Sequence, residues 1–293
     1  MKATGLLLEL VRNGTQVWVE GDELRLRGTK GALSPTLREE VSRRKREIIA
    51  LAGEQTKYVL PSFAQQRMWL LDQLDPDTPT YNISNALRLS GTLDVEALKW
   101  SLKEIVSRHE ALRTTFAAAD GEPVQMISPT MDAKLRVEDL RGLPKAEREA
   151  EALRRAREEK RRPFDLERGP LVRTKLLLLD QEEHLLLLTM HHIVSDGWSM
   201  VVFWRELAAL YEAFSSGRPS PLPELPIQYA DYAVWQRQWL TGEVLEEQLG
   251  YWKAQLAELA VLELPTDHPR PAVQTNRGAR QELLLPESLT EAL

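Results

Sequence analysis

The run Leu185-Leu186-Leu187-Leu188 leads through Thr189 and Met190 into His191-His192, and on to Ser195-Asp196-Gly197. Entered from the charged turn Asp180-Gln181-Glu182-Glu183, an apolar stretch of about four to eight residues predicts a strand buried on both faces, inside a sheet rather than at its edge. Such a strand is a rigid support, and the two histidines stand at its end. Asp196-Gly197 predicts a tight turn, and Ser199 opens a helical pattern carried by Val202, Leu207, Leu210 and Phe214 that Gly217 closes. Consecutive strand residues face opposite ways, so a regular strand aims only one of the two imidazoles at any one site.

The 293 residues suffice for more than one domain. Residues 4–13 place Leu6, Leu7, Leu10 and Val11 on one helical stripe closed by Gly14. Residues 16–19 and 24–27 predict a hairpin around the turn 20–23, with Val17 and Val19 facing Leu24 and Leu26, and Trp18, Arg25 and Arg27 on the other side. Ser34 and Pro35 start a charged helical stretch with Leu37, Val41, Ile48 and Leu51 inside, broken near Ser42. Residues 1–53 hold ten Lys and Arg against seven Asp and Glu, a net of +3, so a body carrying −9 follows within the total of −6. A small basic module favours an acidic partner, and Trp18 beside Arg25, Arg27 and Lys30 suits a hairpin edge that takes up a peptide. The polar residues 54–57 form a linker.

Beyond it, Ser62 and Gln65 have the spacing of a capping box, predicting a helix with Phe63, Met68, Trp69, Leu70 and Leu74 and with Arg67 among them. Strands are expected at 83–89, 113–117, 124–127 and 135–140, and Asp94 caps a helix running to Arg108. The charged residues 146–162 predict a solvated helix without a function of its own. Residues 171–179 and 184–190 form the hairpin that delivers the histidines. Four prolines exclude regular structure from 215–226. Tyr229, Tyr232, Trp235 and Trp239 then crowd residues 227–240, and 243–259 predict an amphipathic helix around Leu249, Trp252 and Leu256. Residues 283–285 predict a strand, and Ser288 with Glu291 a second capping box two residues before the end, as in a fragment.

The absence of cysteine excludes disulfides, thiolate catalysis and Cys-ligated zinc, and suits a cytoplasmic protein. No apolar run approaches the ~18 residues of a membrane span, the start lacks a signal-peptide pattern, and the acidic body argues against nucleic acid. His109, His184 and His268 lack metal-ligand spacing, so no metal is expected. Ser195 and Asp196 lie in a turn without a nucleophile elbow, which argues against a Ser-His-Asp triad. What remains is an imidazole, a group that ordinarily titrates near ~6.5 and contributes roughly 10² to 10⁴ in rate as a general base. Asp196, if buried, needs a partner, and Arg67 is a candidate for a bidentate one. The residues alone leave a plainer reading open, with both histidines in the core and Asp196 a mere turn residue.

Four stretches together carry a resemblance: Ser62-Phe63-Ala64-Gln65-Gln66-Arg67-Met68-Trp69, Arg108-His109-Glu110-Ala111-Leu112-Arg113-Thr114-Thr115-Phe116, Met190 to Ser199, and Tyr229-Ala230-Asp231-Tyr232-Ala233-Val234-Trp235. In order and spacing they resemble the first core motifs of nonribosomal peptide synthetase condensation domains. Residues 1–53 resemble the N-terminal docking domain of such megasynthetases, on Trp18 to Arg25 and Lys30 to Pro35. The resemblance implies an α/β (α+β) fold: a chloramphenicol-acetyltransferase-like lobe with a mixed sheet flanked by helices at 58–226, crossover helices and an incomplete second lobe at 227–293, and a small α-β-hairpin-α docking domain in front. It implies amide formation between thioesters on the 4'-phosphopantetheine arms of upstream and downstream carrier proteins. His192 would orient or deprotonate the amine beside His191, Asp196 and Arg67 would hold the site's shape, Gly197 would admit the thioester, and Trp198 and Ser199 would support them. Trp18, Arg25, Arg27 and Lys30 would dock an acidic C-terminal peptide of the preceding synthetase protein. Two alternatives remain: a docking or scaffolding fragment without turnover, and a free-standing acyltransferase that uses CoA thioesters.

Overall fold

The computed structural model describes residues 3–28, 33–52, 56–119, 121–132, 134–272, 278, 281 and 283–291. They belong to two units, Met1–Glu247 and Gln248–Leu293. The first begins with helix α1 (Ala3–Arg12), strands β1 (Gln16–Glu20) and β2 (Glu23–Arg27), and helices α2 (Pro35–Arg43) and α3 (Lys45–Ala52). The Ser34 hydroxyl accepts the Leu37 N–H at 3.1 Å, which starts α2 as expected, and the expected break near Ser42 falls at Arg44. The hairpin register sets Val17 opposite Leu26, Val19 opposite Leu24 and Trp18 opposite Arg25. Leu6, Leu10, Val17, Leu37, Val41 and Ile48 close a core that also takes in Val124 from far along the chain. Lys30 lies outside the described residues.

Strand β3 (Lys57–Val59) pairs with β1 through Tyr58 and Val17, so Lys57, placed in the linker by composition, is a sheet residue. Three residues are too few to show an alternating pattern in sequence. Next come α4 (Phe63–Leu74), opened by the Ser62-Gln65 capping box, β4 (Asn82–Ser90), and α5 (Val95–Arg108), capped by Asp94. A 3₁₀ turn at Glu110–Arg113 leads into β5 (Thr114–Ala119) and β6 (Glu122–Ile127). Together these strands form a five-stranded sheet of order β2-β1-β3-β6-β5, which continues the hairpin of the N-terminal module into the body.

The second sheet holds the apolar run. It contains β4, β7 (Leu135–Asp139), β8 (Val172–Leu178) and β9 (Glu183–His191) in the order β4-β9-β8-β7, mixed because β7 runs parallel to β8. On one face Leu186, Leu188 and Met190 of β9 pack with Leu102 and Ile105 of α5 and with Phe203 and Leu210 of α7 (Gly197–Ser215). On the other, Leu185 and Leu187 meet Ala152 of α6 (Lys145–Arg161). Burial of a leucine contributes roughly 1.5–3 kcal/mol, so four in a row on two faces pin the register of β9 and the position of its end. Helix α6 is less solvated than its charge run suggests: Ala152 and Glu159 are buried, and Arg173–Glu159 and Arg155–Glu138 ion pairs tie it to the sheet. An inner stripe made of an alanine and a glutamate leaves no hydrophobic signal in sequence.

Helix α8 (Tyr229–Trp239) lays Ala230 against Val59 and Ile127. Helix α9 (Gly242–Gln255) stops short of residue 259 and buries none of its residues, Leu249 and Trp252 included. In the second unit, residues 283–285 form no strand and the helix α10 (Glu287–Thr290) starts behind Pro286, so Ser288 is inside it and not its cap. A strand needs a hydrogen-bonded neighbour as well as an apolar run, and proline presets the first turn of a helix.

Candidate active site

The end of β9 borders a cavity of about 560 Å³ whose wall is drawn from all four sequence motifs, among them Gln65, Arg67, His109, His192, Asp196 and Tyr229. A smaller cavity of about 360 Å³, around Phe164 and Arg173, does not include His192.

The two histidines behave oppositely: His191 is the last residue of β9 and His192 the first of the turn that follows it. His191 ends β9 at 2% exposure: its N–H donates to the Leu171 carbonyl at 3.0 Å and its Nδ1 accepts the Ile193 N–H at 3.1 Å. Its ring sits edge-on to Tyr81 and Phe164. Burial, reinforced by the charge of His192, pushes its pKa down to about 4, so it is neutral at pH 7 and its Nδ1 is already used. His192 is exposed and lines the cavity, its backbone N–H anchored on the Tyr81 carbonyl at 2.9 Å.

Asp196 does not pair with Arg67 as expected from sequence. Its Oδ1 caps α7, accepting the Ser199 N–H at 2.8 Å and the Ser199 hydroxyl at 2.6 Å. Those bonds hold its pKa below the ordinary carboxylate range, the hydroxyl first, with a smaller contribution from His192. A local cap three residues away satisfies the carboxylate without bringing two distant helices together. Arg67 lines the same cavity with no ion-pair partner among the described residues. Gly197 is exposed at the first turn of α7, and a Cβ added there would meet nothing within 4 Å. The chain's own packing therefore leaves that backbone approachable. Trp198 is 78% exposed, whereas Ser195 is buried with its hydroxyl turned to the His191 carbonyl at 3.4 Å, which removes it as a nucleophile.

Behind the cavity, Gln65 donates to the Ile193 carbonyl and to Gln125, both at 3.3 Å, joining α4 to the loop after β9 and to β6. The Tyr229 hydroxyl lies 2.9 Å from Ser62 Oγ, and Gln228 bonds the Arg108 carbonyl and the Glu110 N–H, both at 3.0 Å. These contacts give the first, second and fourth motifs their shared place. Spacing argues against His109 as a metal ligand and assigns it no other role; in the fold it lines the cavity, with Nε2 at 2.7 Å from Glu206 of α7. A separation of 97 positions leaves no spacing signal.

At the other end of the first sheet, β2 is an edge strand. Trp18 is half-buried, and Arg25 is bound by Glu20 at 3.0 Å and Glu23 at 2.9 Å, while Arg27 is exposed and has no ion pair among the described residues.

The sequence profile of the condensation domain matches residues 54–293, and that of the TubC N-terminal docking domain residues 4–52. One protein of the linear gramicidin synthase of Brevibacillus parabrevis is 52% identical over 262 residues, which are 89% of this chain and 3% of that protein. Phosphinothricin tripeptide synthetase PhsC of Streptomyces viridochromogenes is 49% identical over 233 residues, 79% of this chain and 22% of that protein. The chain thus spans a small part of these relatives. Among solved structures, the teicoplanin X-domain in complex with OxyB aligns at a TM-score of 0.62 and 35% identity, over 73% of this chain and 47% of that one. The first condensation domain of the calcium-dependent antibiotic synthetase, bound to a substrate analogue, aligns at 0.60 and 29%, over 68% and 47%.

Proposed function

The chain belongs to the condensation-domain family and shares its chloramphenicol-acetyltransferase-like fold, and from that premise we propose that its cavity joins an acyl or peptidyl thioester to an amine on a second carrier protein. The amine nitrogen attacks the thioester carbonyl. A C–N bond forms, the C–S bond breaks, the sulfur leaves on its phosphopantetheine arm, and the proton lost by the amine ends on the departing thiolate. His192 holds the amine and relays that proton. The observation that carries the reading is the division of labour within the pair: His192 faces the cavity, while His191 is buried and neutral.

Gly197 leaves room for the thioester carbonyl beside the start of α7, whose first N–H groups favour developing negative charge. Asp196 and Ser199 fix that helix start, and Arg67 and Trp198 form part of the wall. A thioester is already activated, so positioning two tethered substrates supplies much of the rate and proton transfer roughly 10² to 10⁴ of it. The β2 edge takes up an acidic C-terminal peptide of the preceding synthetase protein as an added strand. Among the described residues no helix is long and apolar enough to cross a membrane, and a chain without cysteine suits the cytoplasm, where we place it.

Reconstitution with an acyl-loaded and an aminoacyl-loaded carrier tests the reaction. His192→Ala should reduce amide formation by at least about a hundredfold with an unchanged melting curve. Near-normal product from that variant would remove the imidazole from the mechanism.

A further inference from the structure

His109 closes α5, where its N–H donates to the Ile105 carbonyl at 3.0 Å, and its ring reaches Glu206 across the helix interface. The Glu206 side chain is 7% exposed; Oε1 lies 3.4 Å from Nε of Arg108 and Oε2 lies 2.7 Å from Nε2 of His109. A carboxylate this far from water stays ionised only when donors reach both its oxygens. Arg108 serves one, so the other needs a proton on Nε2 of His109, which in the neutral ring fixes the tautomer and leaves a lone pair on Nδ1. That Nδ1 has no partner among the described residues, is not one of the sealed polar atoms, and belongs to a side chain that is 24% exposed and lines the cavity.

We infer that His109 is a second substrate-contacting residue of this cavity: with Nε2–H held by Glu206, its Nδ1 accepts a hydrogen bond from an N–H of an aminoacyl pantetheine thioester. The inference rests on the condensation reading, which supplies the thioester. The donor is either the amine of the aminoacyl group or an amide of the pantetheine arm, since both present N–H to a lone pair. Arg108 only donates, so in Glu206→Gln the amide oxygen must turn to Arg108 and the amide NH₂ to His109. The imidazole then carries its proton on Nδ1 and offers no acceptor, although it is still present.

The test is a titration of the 293-residue chain, with ¹⁵N-labelled histidine, by aminoacyl pantetheine thioester and by pantetheine alone. His109→Leu should weaken aminoacyl pantetheine by about five- to tenfold, the effect of one lost hydrogen bond, and His109→Gln, which keeps a donor and an acceptor, should restore it. Loss confined to the aminoacyl probe identifies the amine as donor, and equal loss for both probes identifies the arm. In Glu206→Gln the ring proton should move from Nε2 to Nδ1, with affinity falling as in His109→Leu. Unchanged affinity in His109→Leu, or an unmoved proton in Glu206→Gln with the melting curve intact, overturns the inference. Failure of the unaltered chain to bind either probe, or full turnover by His192→Ala, strikes at the condensation reading itself.

Discussion

Strands β9 and β2 each carry one of the two proposed functions, and they are built in opposite ways. β9 is interior: its backbone groups are shared with β4 and β8, and eight of its nine residues are buried. Nothing of the strand itself remains available, so its contribution is a single side chain held at its end. β2 is bonded on one side only and alternates half-buried Leu24 and Leu26 with exposed Glu23, Arg25 and Arg27. Its proposed contribution is an edge whose backbone groups lack a strand partner on one side among the described residues, with charges to select what pairs with them. On the proposed reading, the interior strand fixes a position and the edge strand selects a partner.

The contrast is broken most directly by truncating one leucine on each strand. Leu186, 1% exposed, should cost roughly 2–5 kcal/mol as Leu186→Ala, because the cavity cannot refill between two packed faces. Leu26→Ala, half-buried on an edge, should cost about 1 kcal/mol or less. Denaturant titration of the two variants measures both, and equal losses would mean that β9 is not the rigid support described.

A smaller effect sharpens the comparison within the histidine pair. His191 titrates near 6.5 when unfolded and at about 4 in the fold. Below 6.5 the unfolded chain takes up a proton that the folded chain refuses, so this stabilisation is complete above about pH 6.5 and is lost as the pH falls toward 4. A shift of that size corresponds to at most about 3 kcal/mol. His191→Asn, whose Oδ1 replaces Nδ1 as acceptor for the Ile193 N–H, should flatten the decline of stability across that window. Chemical unfolding at a series of pH values gives the slope, and an unaltered slope would assign the acid sensitivity to other groups.

What the sequence discloses and what it withholds divides on physical grounds. The hairpin register, the Ser34, Ser62 and Asp94 caps, and the burial of β9 are encoded by residues a few positions apart, where side-chain type and local geometry decide the outcome. The opposed settings of His191 and His192 match the period-two expectation, although His192 itself lies in the turn just past the strand. The contacts that complete the site depend on distances between helices, which spacing does not carry. Charge matches Arg67 to Asp196, but the capping serine is nearer. Glu206 gives no hint of its histidine, and β3 no hint that the N-terminal module and the body share one sheet. The apolar triplet at 283–285 has the residues of a strand, and the neighbour that would make it one is not written in those residues.

The smallest effect concerns the β2 edge, and it separates its two exposed arginines. Arg25 already satisfies Glu20 and Glu23, so a docking peptide must displace those carboxylates to use it, whereas Arg27 is free of ion pairs among the described residues. An exposed pair is worth about 0.2–1 kcal/mol, so Arg27→Gln should weaken a synthetic peptide rich in Asp and Glu by roughly two- to fivefold at low salt. Arg25→Gln should weaken it less, and Glu23→Gln, which loosens the hold on Arg25, should tighten it slightly. All three effects should shrink as salt screens the charges. Calorimetry at two ionic strengths reads them, and a larger loss from Arg25→Gln than from Arg27→Gln would mean that Arg25 leaves its glutamates for the peptide and that the edge rearranges on binding.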